Sequence, residues 1–296
     1  MNVLNTISNL QQSIREIAGL QQKISSGQKM QQISDDPSSL WKFFSIKKNL
    51  ACHEQYNSNI DNGISWLNGA DSAFGSANQV MQSALDIALS ASNTGNNSTD
   101  FEAYAIKVDT LINQLIDVAN TSVEDNYIFS NSKGKQPFIR QEDMGGGEEV
   151  IINPSITDTI FYDSTREILP RASVTVSFNG QSLFIDSSVF THLLDLKDAL
   201  DAKDSSAVNA LMENLTNDQN LFIQARAEAG AKSNRLEMIK TVLENQNANL
   251  QKSLAGLQDT DIETATTELA SRMLTYQATL SCTAKVLQIS LLNFIS

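Results

Sequence analysis

The feature that most constrains this chain is the apolar spacing at its two ends. Near the start, Val3, Ile7, Leu10, Ile14, Ile17 and Ile24 recur in steps of four and three, broken only by Gln21. Near the finish, Ile262, Leu269, Met273, Tyr276, Leu280 and Leu287 obey the same rule, with Thr266 and Thr283 as polar interruptions. Such steps place side chains along one seam of an α-helix, and a seam of this kind needs a partner helix to cover it. Two seams at opposite ends predict pairing of the ends, with each other or with other copies of the chain. The question the sequence poses is therefore one of assembly before it is one of catalysis.

The stretch between the ends predicts more helix. A first helix is expected from Asn2 to about Gln32. Ser34-Asp35-Asp36-Pro37 then breaks and restarts the chain, because Asp36 suits an N-cap and Pro37 a first helical position. A second helix should follow to about Ala91, then a turn over Asn93-Thr94-Gly95-Asn96-Asn97. Thr99 and Glu102 stand at capping-box spacing ahead of a helix that buries Phe101, Val108, Leu111, Leu115 and Val118 and ends near Ser122.

The middle changes period. Asn179-Gly180 lies between Val174, Val176, Phe178 and Leu183, Ile185, which predicts a two-residue hairpin pairing Val176 with Leu183 and Val174 with Ile185. Glu149 to Ile152 and Thr159 to Tyr162 are further strand candidates, and Gly145 to Gly147 a link between strands. Helix resumes after Val189. A long helix from Ser205 to Leu257 carries Leu236, Ile239, Leu243, Leu250 and Leu257, and Thr260 with Glu263 predicts the cap of a last helix to about Asn293. The expected fold is mainly α with a small β-rich insert. The N- and C-terminal arms form a long antiparallel helical rod, and a hairpin-containing domain sits at its far end. The expected segments are 1–36 and 259–296 as terminal assembly helices, 37–135 and 191–258 as the two halves of the rod, and 136–190 as the insert.

Charge narrows the function. The net charge is −13, against nucleic-acid binding. It is unevenly spread: from Asp86 to Pro170 there are 14 acidic and 5 basic residues, whereas Met1 to Leu50 holds 3 acidic and 6 basic. Asp35 and Asp36 read as capping carboxylates, since neighbours on a helix start point apart. His53 and His192 have no partner at metal-ligand spacing. Gly145-Gly146-Gly147 is followed by Glu148 and Glu149, which would repel a phosphate. Cys52 and Cys282 read as reduced thiols packed in the helical arms. These readings leave no catalytic residue, cofactor or metal ligand to name. No apolar run is long enough to span a membrane, and the first 30 residues lack the pattern of a cleaved secretory signal. The chain is expected to be cytoplasmic or to leave the cell without such a signal.

Several segments carry a resemblance. Gln22-Lys23-Ile24-Ser25-Ser26-Gly27-Gln28-Lys29 leading into Ile33-Ser34-Asp35-Asp36-Pro37 resembles the start of the bacterial flagellin superfamily. Pro37-Ser38-Ser39 is similar to its hook-associated branch of the third type, found at the hook–filament junction. Asn59-Ile60-Asp61 with Trp66-Leu67, and Ala119-Asn120 with Tyr127-Ile128-Phe129-Ser130, resemble further motifs of that branch. So do Ala225 to Ala231, Asn234-Arg235-Leu236, Asp259-Thr260-Asp261, and the closing Ser290-Leu291-Leu292-Asn293-Phe294.

The resemblance implies a non-enzymatic subunit of the flagellum, exported by the flagellar type III route without a cleaved signal. The partners it implies are the first hook-associated protein, flagellin, copies of itself in a ring, the export apparatus and an export chaperone. The expected assembly surface combines the seam residues above with Ser25, Ser26, Gly27, Leu291 and Phe294, with Asp35, Asp36 and Pro37 as the helix restart. Small residues at 25–27 would admit another backbone closely. The rival readings are a flagellin-type filament subunit and, in another class, a cytoplasmic coiled-coil scaffold.

Overall fold

A computed structural model describes residues 3–29, 37–93, 98–130, 135–142, 147–155, 165–170 and 172–295. Of these, the side chains of residues 3, 4, 6, 37, 38, 98 and 285–295 are not described. The fold is mainly helical: α1 (Val3–Ser26), α2 (Pro37–Asn93), α3 (Ser98–Ala119), α4 (Val189–Asp201), α5 (Ser205–Gln258) and α6 (Ile262–Ile295). Among the described residues, six short strands lie between α3 and α4: β1 (Ser122–Val123), β2 (Asn126–Tyr127), β3 (Phe138–Glu142), β4 (Glu148–Ile152), β5 (Thr165–Leu169) and β6 (Ala172–Thr175). They pair only as three antiparallel hairpins, β1–β2, β3–β4 and β5–β6. The chain divides into two compact units, residues 1–52 with 245–296 and residues 53–244.

The larger unit is built on the central stretches of α2 and α5, which run antiparallel. Arg226 on α5 meets Asp71 on α2 at 3.0 Å, and Lys240 meets Asp61 at 2.7 Å. Alanines let helices approach closely, and Ala70, Ala73, Ala77, Ala84 and Ala88 of α2 are buried. Gly63 extends this closeness: a Cβ there would lie 3.0 Å from Leu236 of α5 and 3.2 Å from Val176. On α3, Phe101, Val108, Leu111, Ile112 and Leu115 are buried at helical spacing.

The insert is held to these helices by an aromatic core. Phe74 of α2 packs edge-on against Phe178 (centroids 4.9 Å apart), and Phe129 against Phe184 at 5.2 Å. Phe184 also meets Phe222 of α5 at 5.6 Å. Such contacts add about 0.5–1.5 kcal/mol each beyond the area they bury. The Ala119-Asn120 motif has a mechanical explanation here. The Asn120 amide donates to the Phe138 carbonyl at 2.8 Å and accepts from the Phe138 N–H at 3.0 Å, clasping β3 to the end of α3. An ionic cluster fixes the same hairpin. Arg140 (β3) pairs with Asp109 (α3) at 2.6 Å and with Glu148 (β4), and Lys197 (α4) reaches Glu148 at 2.7 Å.

Four sequence expectations are corrected. Asn179-Gly180 is not a hairpin turn. Val174 lies in β6, which pairs backward with β5, and residues 181–186 form a π-helical segment. The Asn179 carboxamide oxygen accepts the N–H groups of Gln181 (2.9 Å) and Ser182 (3.3 Å), and Gly180 donates its N–H to the Phe129 carbonyl at 2.9 Å. The polar groups a hairpin would pair are thus already satisfied.

The first helix stops at Ser26, six residues short of the expected end, because Gly27 takes φ +69, the left-handed conformation that closes helices. The cap of the last helix is Asp261 instead of Thr260: its carboxylate accepts the N–H groups of Glu263 (3.1 Å) and Thr264 (3.2 Å). That carboxyl lies below its ordinary pKa, chiefly through the Thr264 hydroxyl. Cys52 and Cys282 are both exposed free thiols, so they are not packed in the arms. The strand candidate Thr159 to Tyr162 lies outside the described residues.

Candidate assembly interface

In the smaller unit α1 and α6 run antiparallel. Glu16 accepts from Arg272 at 2.7 Å. Where the two helices begin and end, backbone bonds lock the register. Lys29 N–H donates to Gln258 O at 2.7 Å, and Thr260 N–H to Gly27 O at 2.9 Å. Gly27 therefore has a local task, since its positive φ turns the chain into these bonds. A Cβ at Gly27 would meet nothing within 4 Å, so within the chain it is the backbone angle, not space, that calls for glycine.

The covered row is narrower than the apolar stripe and lies to one side of it. On α1 the half-buried positions include Leu10, Ser13, Ile17, Leu20 and Ile24. On α6 Ala265 is buried, and Leu269, Tyr276, Thr279 and Thr283 are half-buried. Leu10, Ile17, Ile24, Leu269 and Tyr276 thus belong to both the expected seam and the covered row. Ile7 (45% exposed), Ile14 (49%), Ile262 (55%), Met273 and Leu280 remain exposed. Ser25 and Ser26 are exposed as well.

Thr283, a polar interruption in the expected seam, joins the covered row because its hydroxyl bonds to the Thr279 carbonyl at 2.7 Å. Thr279 does the same to Thr275 at 2.8 Å. With the hydroxyls satisfied within the helix, each threonine can offer a methyl group to the contact. The side chains of Val3, Leu287, Leu291 and Phe294 lie outside the description. Asp35 and Asp36 are outside the described residues altogether, and Pro37 is seen only as the first residue of α2.

A helix pair that covers one flank of a wider apolar stripe leaves a second flank for another surface. Sequence periodicity marks the stripe but does not say which flank the intramolecular partner takes. Ala265, Thr279 and the Glu16–Arg272 pair, all part of the contact, carry no signal in a hydrophobic pattern. Among the described residues no group of three or more His, Cys, Asp or Glu side chains is placed to hold a metal, and no helix is long and apolar enough to cross a membrane. His192 sits 2.7 Å from the buried carboxylate of Asp218, a pairing of α4 with α5 that the sequence does not announce.

Two family models match the chain. That of the bacterial flagellin N-terminal helical region covers residues 1–134, and that of the C-terminal helical region covers residues 212–295. A flagellin of Listeria monocytogenes is 24% identical over 282 residues, spanning 94% of this chain and 91% of the relative. The flagellar hook-associated protein 3 of Escherichia coli is 22% identical, spanning 85% and 86%. The crystal structure of FlgL from Bacillus cereus superposes with a TM-score of 0.57 at 23% identity, covering 70% of this chain and 97% of that one.

Proposed function

The chain belongs to the bacterial flagellin family of structural proteins, and on that premise we propose that it is a subunit of the hook–filament junction. The observation that carries this reading is the uncovered apolar flank of α1 and α6, which a neighbouring subunit would bury. The junction position is supported by the motifs at Pro37, Trp66-Leu67 and Tyr127-Ile128-Phe129, and by the similarity to the Escherichia coli hook-associated protein. The partners are the first hook-associated protein on one side, flagellin on the other, and copies of the chain in a ring. Delivery is by the flagellar type III apparatus with an export chaperone, and the finished protein lies outside the cell in the flagellum.

In this reading residues 1–36 and 259–296 are the assembly arms, 37–135 and 191–258 the two helical halves, and 136–190 an outward insert. The arms order fully only on assembly. Two helices that bury one flank gain little against an ordering cost of ~1–2 kcal/mol per residue. A neighbour that buries each remaining Ile or Leu adds roughly 1.5–3 kcal/mol. A filament subunit of the flagellin type is the second reading, supported by the similarity to Listeria flagellin.

Deletion of the gene separates the two. Bare hooks with free flagellin in the medium, seen by electron microscopy and blotting, are the expected result. Filaments persisting on the cells would overturn the junction role. Sheared filaments of the parent strain built mainly from this chain would establish the second reading instead.

A further inference from the structure

The start of α2 carries an exposed aromatic face that the terminal seams do not explain. Trp41 is 80% exposed and Phe44 55%. On a helix, positions 41, 44, 48 and 52 share one side, and it is the side opposite the half-buried Phe43, Ile46 and Leu50. Lys42 and Lys47 flank this face and Lys48 continues it. From Pro37 to His53 there is no acidic residue, in a chain whose net charge is −13. A Trp and a Phe ringed by lysines have the composition of a binding hot spot whose partner is apolar at the centre and acidic at the edge.

A surface of that chemistry exists on α5. Met238 is 65% exposed and Val242, one turn on, 51%. Glu237 and Glu244, both exposed, run along one side of this pair. The nearby Lys240 is engaged by Asp61 at 2.7 Å and the exposed Arg235 stands at the opposite edge of the pair, so the acidic edge is the side of Glu237 and Glu244. Methionine is pliable and makes favourable contacts with aromatic rings.

We propose that the Trp41–Phe44 face of one copy docks on the Met238–Val242 face of a second copy, with Lys47 and Lys48 set against Glu237 and Glu244. The contact rests on the subunit reading above and deepens it. It joins two different surfaces of identical chains, so it is heterologous and repeats from copy to copy into a ring or a helical array.

The test places a photo-crosslinking benzoyl-phenylalanine at position 44 of the full chain, in the bacterium that makes it, and irradiates the assembled appendage. The expected product has twice the chain's 32.4 kDa mass and is joined to the peptide carrying Met238 and Val242. Lys47→Glu with Lys48→Glu should cut it about tenfold, and Glu237→Lys with Glu244→Lys in the same chain should restore it. A product joined elsewhere on the second copy, or only to another protein, overturns the proposal.

The same analogue at position 14 reports on the α1–α6 flank. A double-mass product from position 14 with none from position 44 overturns the docking contact and leaves the subunit reading intact. No double-mass product from either position overturns both. Binding of the purified chain to vesicles of equal parts phosphatidylglycerol and phosphatidylcholine, lost on Trp41→Ala with Phe44→Ala, would reassign the face to a membrane surface and likewise overturn it.

Discussion

Gly180 shows how one residue can hold the insert to its helices. A Cβ there would fall 2.7 Å from both the Cβ and the carbonyl oxygen of Phe129, and 2.9 Å from the Phe138 ring. Backbone cannot yield as the tip of a flexible side chain can, so Gly180→Ala should cost about 1–3 kcal/mol, the range of an overpacked core. Chemical denaturation of the purified chain would measure it; a loss below about 0.5 kcal/mol would mean the approach is looser than described.

Asp218 makes a second prediction at this scale. Burial raises its pKa above the ordinary 3.8, although the bond to His192 opposes the rise. Between 3.8 and the folded value, the native chain holds a proton that the unfolded chain has lost. The stabilisation linked to that proton is complete below 3.8 and disappears as pH rises through the folded value. Asp218→Asn keeps an acceptor for His192 and has no proton to lose. Its stability relative to the parent should therefore rise across that window, as read from denaturation midpoints.

Among the elements, the β3–β4 hairpin is fastened by charge as well as by phenylalanines. Asp109 lies below its usual pKa because Arg140 hydrogen-bonds it, and Glu148 does so chiefly through Lys197. Lowered carboxyl values mean stability that is present above the unfolded pKa values, 3.8 and 4.5, and lost as pH falls through the folded ones. The groups are partly exposed and therefore screened, so Arg140→Met should remove only about 1 kcal/mol at neutral pH. It should remove much less once both carboxyls are protonated.

Elements differ in how openly the sequence announces them. The long helices are legible because an apolar period sustained over many turns has few other solutions. The hairpins are not. The β1–β2 turn places Glu124 and Asp125 at φ 51 and 63, the positive pair that Asn-Gly would favour, yet Asn-Gly stands at 179–180, where Gly180 has φ −67. Turn chemistry is a weak local preference, and here the packing of Phe129 and Phe178 overrides it. The terminal seams are intermediate. The stripe is readable, but the choice of covered flank depends on a partner helix more than 200 residues away in the chain.

At the scale of the whole molecule, assembly asks each unit for something different. The larger unit has an aromatic and alanine core, whereas in the smaller one Ala265 is the one buried apolar side chain among the described residues and Ile7, Ile14, Ile262, Met273 and Leu280 stand in solvent. Ile14→Lys should leave the isolated chain's thermal unfolding within a degree or two of the parent and yet keep it out of the sheared appendage. Normal incorporation of that variant would remove the flank from the assembly surface.

The antiparallel contact of α1 with α6 has a further consequence, in time. Glu16 and Arg272 are 256 residues apart along the chain, so bringing them together closes a loop around nearly all of it. Loop closure is a cost met before any contact rewards it, and it slows folding. The cost is smaller once α2 and α5 have paired through Arg226–Asp71 and Lys240–Asp61, because that pairing already closes much of the loop. The topology thus predicts an order of events in which the larger unit folds first and the ends close last. Hydrogen exchange should show the reverse of that order on opening. Amides of α1 and α6 should exchange well before those of α2 and α5 at the phenylalanine core, so the surface most ready to open is also the one proposed above for burial by a neighbouring copy.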